Sequence, residues 1–235
     1  MEWFMAAVID EKARTVLEAA VEAVGGRKRL QKVTDIIITA THALYTDTIR
    51  YRSPNRIARE SRFPWGVVQI GYDGTSSWHT DKDGKLVLEE GKKIPAVQWL
   101  FHKVEVLLLL PLEREAKTIE YLGGKNAYYF ENGETVRKVA DILRVTFPDG
   151  WVFRLYFARD TRMLVKSEFR HTTHQSRYVE RFFTRYQKVR SILFPRRVYE
   201  YNHQSGRFTR VKIDYEVNVG LKRRTFKMPT AKEVS

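Results

Sequence analysis

The residues of this 235-residue chain whose types could do chemistry are six histidines, a few adjacent carboxylates, two glycine doublets and one run of arginines. The histidines are His42, His79, His102, His171, His174 and His203. His171 and His174 lie in a strand-like stretch, where successive side chains alternate, so they are expected on opposite faces. That spacing suits a metal only on a helix, no glutamate stands where a zinc-peptidase base would, and the chain has no cysteine. No metal site and no cofactor are therefore expected. Glu89-Glu90 and Asp81/Asp83 fall in turns, where solvated carboxylates are the default, and Asp73 and Asp149 read as turn formers. Gly25-Gly26 and Gly123-Gly124 lack the strand-to-helix order and following lysine of a phosphate loop. With no nucleophile elbow and no kinase signature, the chain is not expected to be an enzyme.

The charge balance points to binding instead. Lys and Arg number 42 against 28 Asp and Glu, a net charge of +14, which attracts polyanions without specifying a fold. Arg170, Arg177, Arg181, Arg185, Arg196 and Arg197 form the candidate basic patch, interleaved with Tyr178, Phe182, Phe183 and Tyr186. Arginines among aromatics can hold single-stranded nucleic acid by stacking and phosphate contact, or dock on an anionic membrane. They can equally form a solvated sheet face.

The elements that must position these groups are mostly strands. Gly71-Tyr72-Asp73-Gly74, Asp81-Lys82-Asp83-Gly84, Gly123-Gly124, Phe147-Pro148-Asp149-Gly150 and Asn202-His203-Gln204-Ser205-Gly206 separate apolar or alternating runs. Such turns fold strands back on their neighbours, which predicts an antiparallel sheet laid down hairpin by hairpin. Strands are expected over 36–45, 48–52, 55–63, 67–72, 76–80, 85–88, 118–122, 127–130, 142–147, 151–157, 164–170, 196–201 and 208–219. The charged stretch 131–141 reads as a loop, and the ambiguous segment 177–190 reads as a strand from its hairpin context. Apolar spacing of three and four predicts a helix over 10–24, capped by Asp10 and ended by Gly25-Gly26. A second helix is expected over 94–110, closed by Pro111. Its Leu107–Leu110 run right round it, as in a helix buried on both sides or laid over a cavity. One domain, 1–235, is expected, with an irregular tail over 220–235. Residues 1–9 have no basic n-region; they read as a disordered start or as what remains of a trimmed signal.

The order of these pieces resembles the outer-membrane lipoprotein-sorting carriers and their relatives, the LolA/LolB-like proteins. The likeness rests on the first helix with Gly25-Gly26, Leu30 and Val33, then Gly71-Tyr72-Asp73-Gly74 and Trp78. It continues through Leu122-Gly123, Phe147-Pro148-Asp149-Gly150, Leu155-Tyr156-Phe157 and Asp160-Thr161-Arg162-Met163-Leu164, and closes on Leu193-Phe194-Pro195 and Phe226-Lys227-Met228-Pro229. Arg162 stands where relatives usually have glycine, and 131–141 looks extra. The resemblance implies a mainly β (α+β) fold, a curved antiparallel half-barrel covered on its concave side by helices. It also implies a cavity for the acyl chains of a lipid or lipoprotein in the periplasm or cell envelope. Ile36, Ile38, Ile70, Trp78, Val145, Phe147, Phe153 and Leu155 would line it from the sheet, and Trp99, Val106 and Leu109 from the helix. The expected function is non-enzymatic carriage of a lipid or lipidated partner, with the basic stretch facing head groups or an anionic membrane. The alternative is a basic β-protein that binds nucleic acid through 177–190.

Overall fold

The computed structural model describes residues 7–131, 134–171 and 178–229, without the side chains of 130 and 131. The chain is mainly β with a few helices, and its strands belong to one open sheet. It divides into two compact units, 1–31 with 105–212 and 32–104 with 213–235.

The first unit begins with β1 (Val8–Ile9), paired in parallel with β8 (Thr118–Glu131). Helix α1 (Glu11–Val24) follows. Asp10 caps it, accepting the Ala13 N–H on Oδ1 at 2.6 Å and the Tyr121 N–H on Oδ2 at 2.6 Å, so one carboxylate fixes both the helix start and its seat on β8. Ala13, Leu17, Ala20, Val21 and Val24 are its buried stripe. Gly25 ends it at φ 142°, and a Cβ there would lie 2.7 Å from the Ser191 carbonyl oxygen. A one-turn helix, α2 (Arg27–Leu30), follows, and Arg27 pairs with Glu113 at 2.7 Å.

From β8 the unit is an antiparallel meander: β9 (Glu134–Thr146), β10 (Trp151–Ala158), β11 (Leu164–His171), β12 (Val179–Val189), β13 (Ile192–Asn202) and β14 (Arg207–Val217). Segment 177–190 is thus a strand from Val179 onward, as the hairpin context indicated. Two expectations fail. Gly123-Gly124 is not a turn: β8 runs through it with a bulge between Tyr121 and Gly124, Gly123 adopting φ 96°. Residues 134–141 are not a loop but the return strand, paired with 124–131. A glycine doublet supplies positive φ for a bulge as readily as for a turn, and period two was masked by charge on both faces.

The second unit takes the end of β14 and adds β2 (Asp35–Thr41), β3 (Thr46–Arg52), β4 (Arg56–Phe63), β5 (Gly66–Tyr72), β6 (Ser77–Thr80) and β7 (Leu86–Glu89) in chain order. Its long helix is α3 (Pro95–Leu108), which begins in this unit and ends in the other. Phe101 meets Tyr51 and Tyr72 edge-on at 6.0 and 6.2 Å, which lays this helix on the face those tyrosines share. The helix stops at Leu109, which adopts φ 62°, and α4 (Leu112–Glu115) follows Pro111. The described part of the tail packs on this unit. A 3-10 turn over Arg223–Phe226 buries Phe226 completely against Ala58 and Trp78, and its carbonyl accepts the Trp78 indole N–H at 2.8 Å.

Candidate functional site

Cross-strand register decides which of the expected lining residues share a face. In the first unit Val145 pairs with Ile119 and Phe153, Phe153 with Phe169, and Leu155 with Leu143 and Ser167. Directly opposed residues point the same way. Val145, Phe153 and Leu155 therefore lie on one face, and Phe147 meets Phe153 edge-on at 5.7 Å. All four are at most 1% exposed. Val106 and Leu109, at the end of α3, are buried as well.

In the second unit Ile36 pairs with Tyr51, Tyr51 with Ile57 and Ile57 with Tyr72; Ile38 pairs with Ile49, Ile49 with Arg59 and Arg59 with Ile70. Ile36, Ile38 and Ile70 thus share the α3-covered face. Trp78 does not join them. It pairs with Gly71, one residue out of step with Ile70, and so occupies the opposite face against Ala58 and Phe226. Gly71 has no Cβ because the indole occupies that space. Trp99 is half-buried on α3, with Lys103 Nζ 5.1 Å from its ring centroid. A polar cluster closes one end of the α3-covered face. Buried Asp47 accepts Ser61 Oγ–H and lies 3.5 Å from His42 Nε2. Burial pushes the Asp47 carboxyl up, and the His42 and Ser61 hydrogen bonds outweigh it, holding the group below the usual aspartate range.

The expected basic patch is not one surface. Arg181 pairs with Ser167 across the ladder, on the face that carries Phe153 and Phe169. There it meets Glu200 at 3.2 Å and stacks over Phe169. Arg170 pairs with Val152 on the other face, and it is exposed. Arg185 adopts φ 53° between Thr184, opposite Arg197, and Tyr186, opposite Pro195, with the β12–β13 register unbroken on either side; Arg185 and Arg196 are exposed and Arg197 half-buried. Tyr186 donates its hydroxyl to the Leu164 carbonyl, and burial pushes its phenol far up. Arg177 lies outside the described residues, as does His174. Of the residues in 177–190 on which the nucleic-acid reading rests, Arg181 is engaged with Glu200 and Tyr186 with a backbone carbonyl, while Arg185 is exposed.

On this other face of the first unit, a row that the sequence did not single out runs across the strands: Glu120, Arg144, Arg154, Glu168 and Glu180. Lys166 bridges Glu168 at 2.8 Å and Glu180 at 2.9 Å, and the Tyr156 hydroxyl donates to Glu168 at 2.7 Å. Burial pushes the Glu168 carboxyl up; Lys166 and Tyr156 overcome that and hold it low. The β8–β9 arm lies over the neighbouring strands, where Tyr129 packs with Ala158, Val165, Phe182 and Tyr199. The signal for this face was the alternation Trp151, Phe153, Leu155, Phe157, which leaves Val152, Arg154 and Tyr156 pointing away. Among the described residues no cluster of three metal-ligating side chains occurs, and no helix is long and apolar enough to cross a membrane.

No protein-family model matches the chain, and no curated protein matches it by sequence. Solved structures do. A LolA superfamily protein from Nitrosomonas europaea superposes with a TM-score of 0.57 at 12% identity, covering 92% of this chain and 97% of that one. A putative outer membrane lipoprotein-sorting protein domain from Vibrio parahaemolyticus gives 0.55 at 14% identity, over 91% and 97%. A DUF1329 family protein from Desulfovibrio piger gives 0.55 at 12%, over 96% and 100%. At these identities the likeness concerns the fold, and the fold is LolA/LolB-like.

Proposed function

We propose that the protein is a non-enzymatic carrier that holds an acyl chain of a lipid or lipidated protein in the cell envelope. The observation that carries this reading is the register of the first unit, which gathers Val145, Phe147, Phe153 and Leu155 on one apolar face. The fold supports it, because one structure that shares it is described as a lipoprotein-sorting domain. Burial of an acyl chain contributes about 0.8 kcal/mol per methylene, so a long chain has ample driving force without any charged contact. These side chains are at most 1% exposed. An entering chain therefore replaces contacts that they make with their neighbours, and binding requires the face to open. The exposed Arg170, Arg185 and Arg196 suit an anionic membrane surface from which such a chain is collected or to which it is delivered.

Half-buried Trp99 is the position at which to test this. A fluorescent fatty acid titrated into the protein is expected to bind saturably, with little dependence on salt. Trp99→Asp, which leaves the fully buried side chains in place, is expected to weaken uptake at least tenfold. Unchanged uptake by this variant would sink the assignment of Trp99 to the binding path.

A further inference from the structure

Like charges directly opposite one another on neighbouring strands destabilise a sheet, and the outer row of the first unit contains two such pairs. Glu168 faces Glu180, and Lys166 bridges them. Arg154 faces Arg144, and nothing comparable bridges these two among the described residues. Arg144 is neutralised by Glu120. Arg154 is not matched in the same way: Glu168 gives Oε1 to Lys166 and Tyr156, and its Oε2 stays 3.6 Å from Arg154 Nη1, outside hydrogen-bond distance. Arg170 adds a third guanidinium two residues along β11 from Glu168, and it has no ion pair or hydrogen bond among the described residues.

These three arginines, with Val152, Glu168 and Tyr178, line a depression of about 80 Å³. Arg154 also lines an adjoining cleft of about 270 Å³, with Lys125, Tyr128, Ile142 and Tyr156 among its walls. The cleft is formed by the β8–β9 arm on one side and strands β9–β11 on the other. Tyr128 is 59% exposed there, and Lys125 has no ion pair among the described residues.

We propose that this paired depression and cleft is a binding site for a phosphate monoester, the phosphate held by Arg144, Arg154 and Arg170 and its organic group lying in the cleft against Ile142, Tyr128 and Tyr156. The depression has room for a tetrahedral oxyanion, given that a water takes about 30 Å³ in the liquid. Guanidinium forks match phosphate oxygens in pairs, and a monoester carries up to two charges near neutral pH, which suits several cations converging from separate strands. A carboxylate offers only two oxygens to three forks. Arg144, Val152, Arg154 and Tyr156 face away from the Phe153–Leu155 surface, so this site is separate from the proposed acyl-chain face.

The test is calorimetric titration of the whole protein with phenyl phosphate at low ionic strength, alongside flotation with vesicles of phosphatidylcholine alone, with phosphatidic acid, or with an equal charge of phosphatidylglycerol. Saturable 1:1 binding of phenyl phosphate is expected, weakened about tenfold by Arg154→Gln and by Arg170→Gln, and lost in the double variant. Arg170 makes no ion pair among the described residues, so its replacement leaves the charge network intact; unchanged circular dichroism of R170Q would show that the fold persists. If phenyl phosphate does not bind but vesicles bind with phosphatidic acid and not with an equal charge of phosphatidylglycerol, and R154Q abolishes this, the monoester is a lipid head group. If neither probe binds, or if R154Q and R170Q bind as wild type does, the proposal is overturned. Fatty-acid uptake by R154Q is expected to equal wild type, which keeps a failure here distinct from a failure of the carrier reading.

Discussion

Gly71 shows how one residue sets the geometry of a face. It pairs with Trp78 in the middle of a β5–β6 hairpin, and the indole fills the space a side chain would need. Gly71→Ala pushes a methyl into the buried Trp78, whose indole N–H is tied to the Phe226 carbonyl. Overpacking of this kind costs about 1–3 kcal/mol, so the urea midpoint is expected to fall by a corresponding amount. A midpoint equal to wild type would mean that the indole is free to move aside. Read in sequence, Gly71 belonged to a Gly-Tyr-Asp-Gly turn, and the turn is where that motif puts it. Its own task, yielding space across the ladder, depends on a partner seven residues away and on register. The same dependence misplaced Trp78 with Ile70: each is buried, but adjacent positions on β5 send their partners to opposite faces. Asp10 and Gly25, by contrast, were legible because capping is local: the side chain and backbone that satisfy the helix ends lie within a few residues.

At the scale of elements, what was legible was the period. Helix α1 followed from apolar spacing and the hairpin order from turn residues, while the strand character of 179–189 followed from its place between hairpins and against its helix-like spacing. What was not legible was long-range pairing that reuses a familiar local signal. The Gly123-Gly124 doublet makes a bulge, and beyond it the β8–β9 arm covers Phe182 and Tyr199, which therefore stay buried on a face that would otherwise be wet. Over Gly124 lies the guanidinium of Arg159, on the way to Asp141, so a side chain there would have to displace it. The tail was read as irregular; in its described part, 220–229, a 3-10 turn nevertheless covers the face of the second unit that carries Ala58 and Trp78. Phe226 is wholly buried there, so Phe226→Ala removes an aromatic ring from a closed cluster. A loss of about 3–5 kcal/mol is expected, read as a lower thermal midpoint in calorimetry. A change below about 1 kcal/mol would show that the tail rests on the sheet without being part of its core.

For the whole molecule, the resemblance drawn from the order of its hairpins and the likeness to solved structures at 12–14% identity agree on fold. Physics explains why order survives where residues do not: turn chemistry and alternation fix a meander, while many apolar side chains fill its faces equally well. The apolar faces are what the proposed acyl-chain carriage draws on, and Arg170 and Arg181 lie on opposite faces of the sheet. The most direct measurement is native mass spectrometry of the purified protein, with solvent extraction of whatever it releases. The carrier account predicts a fatty acid or phospholipid in near-stoichiometric amount, or its uptake when acyl probes are added. A clean mass that stays unchanged with every acyl probe would contradict it and leave the two faces as ordinary core.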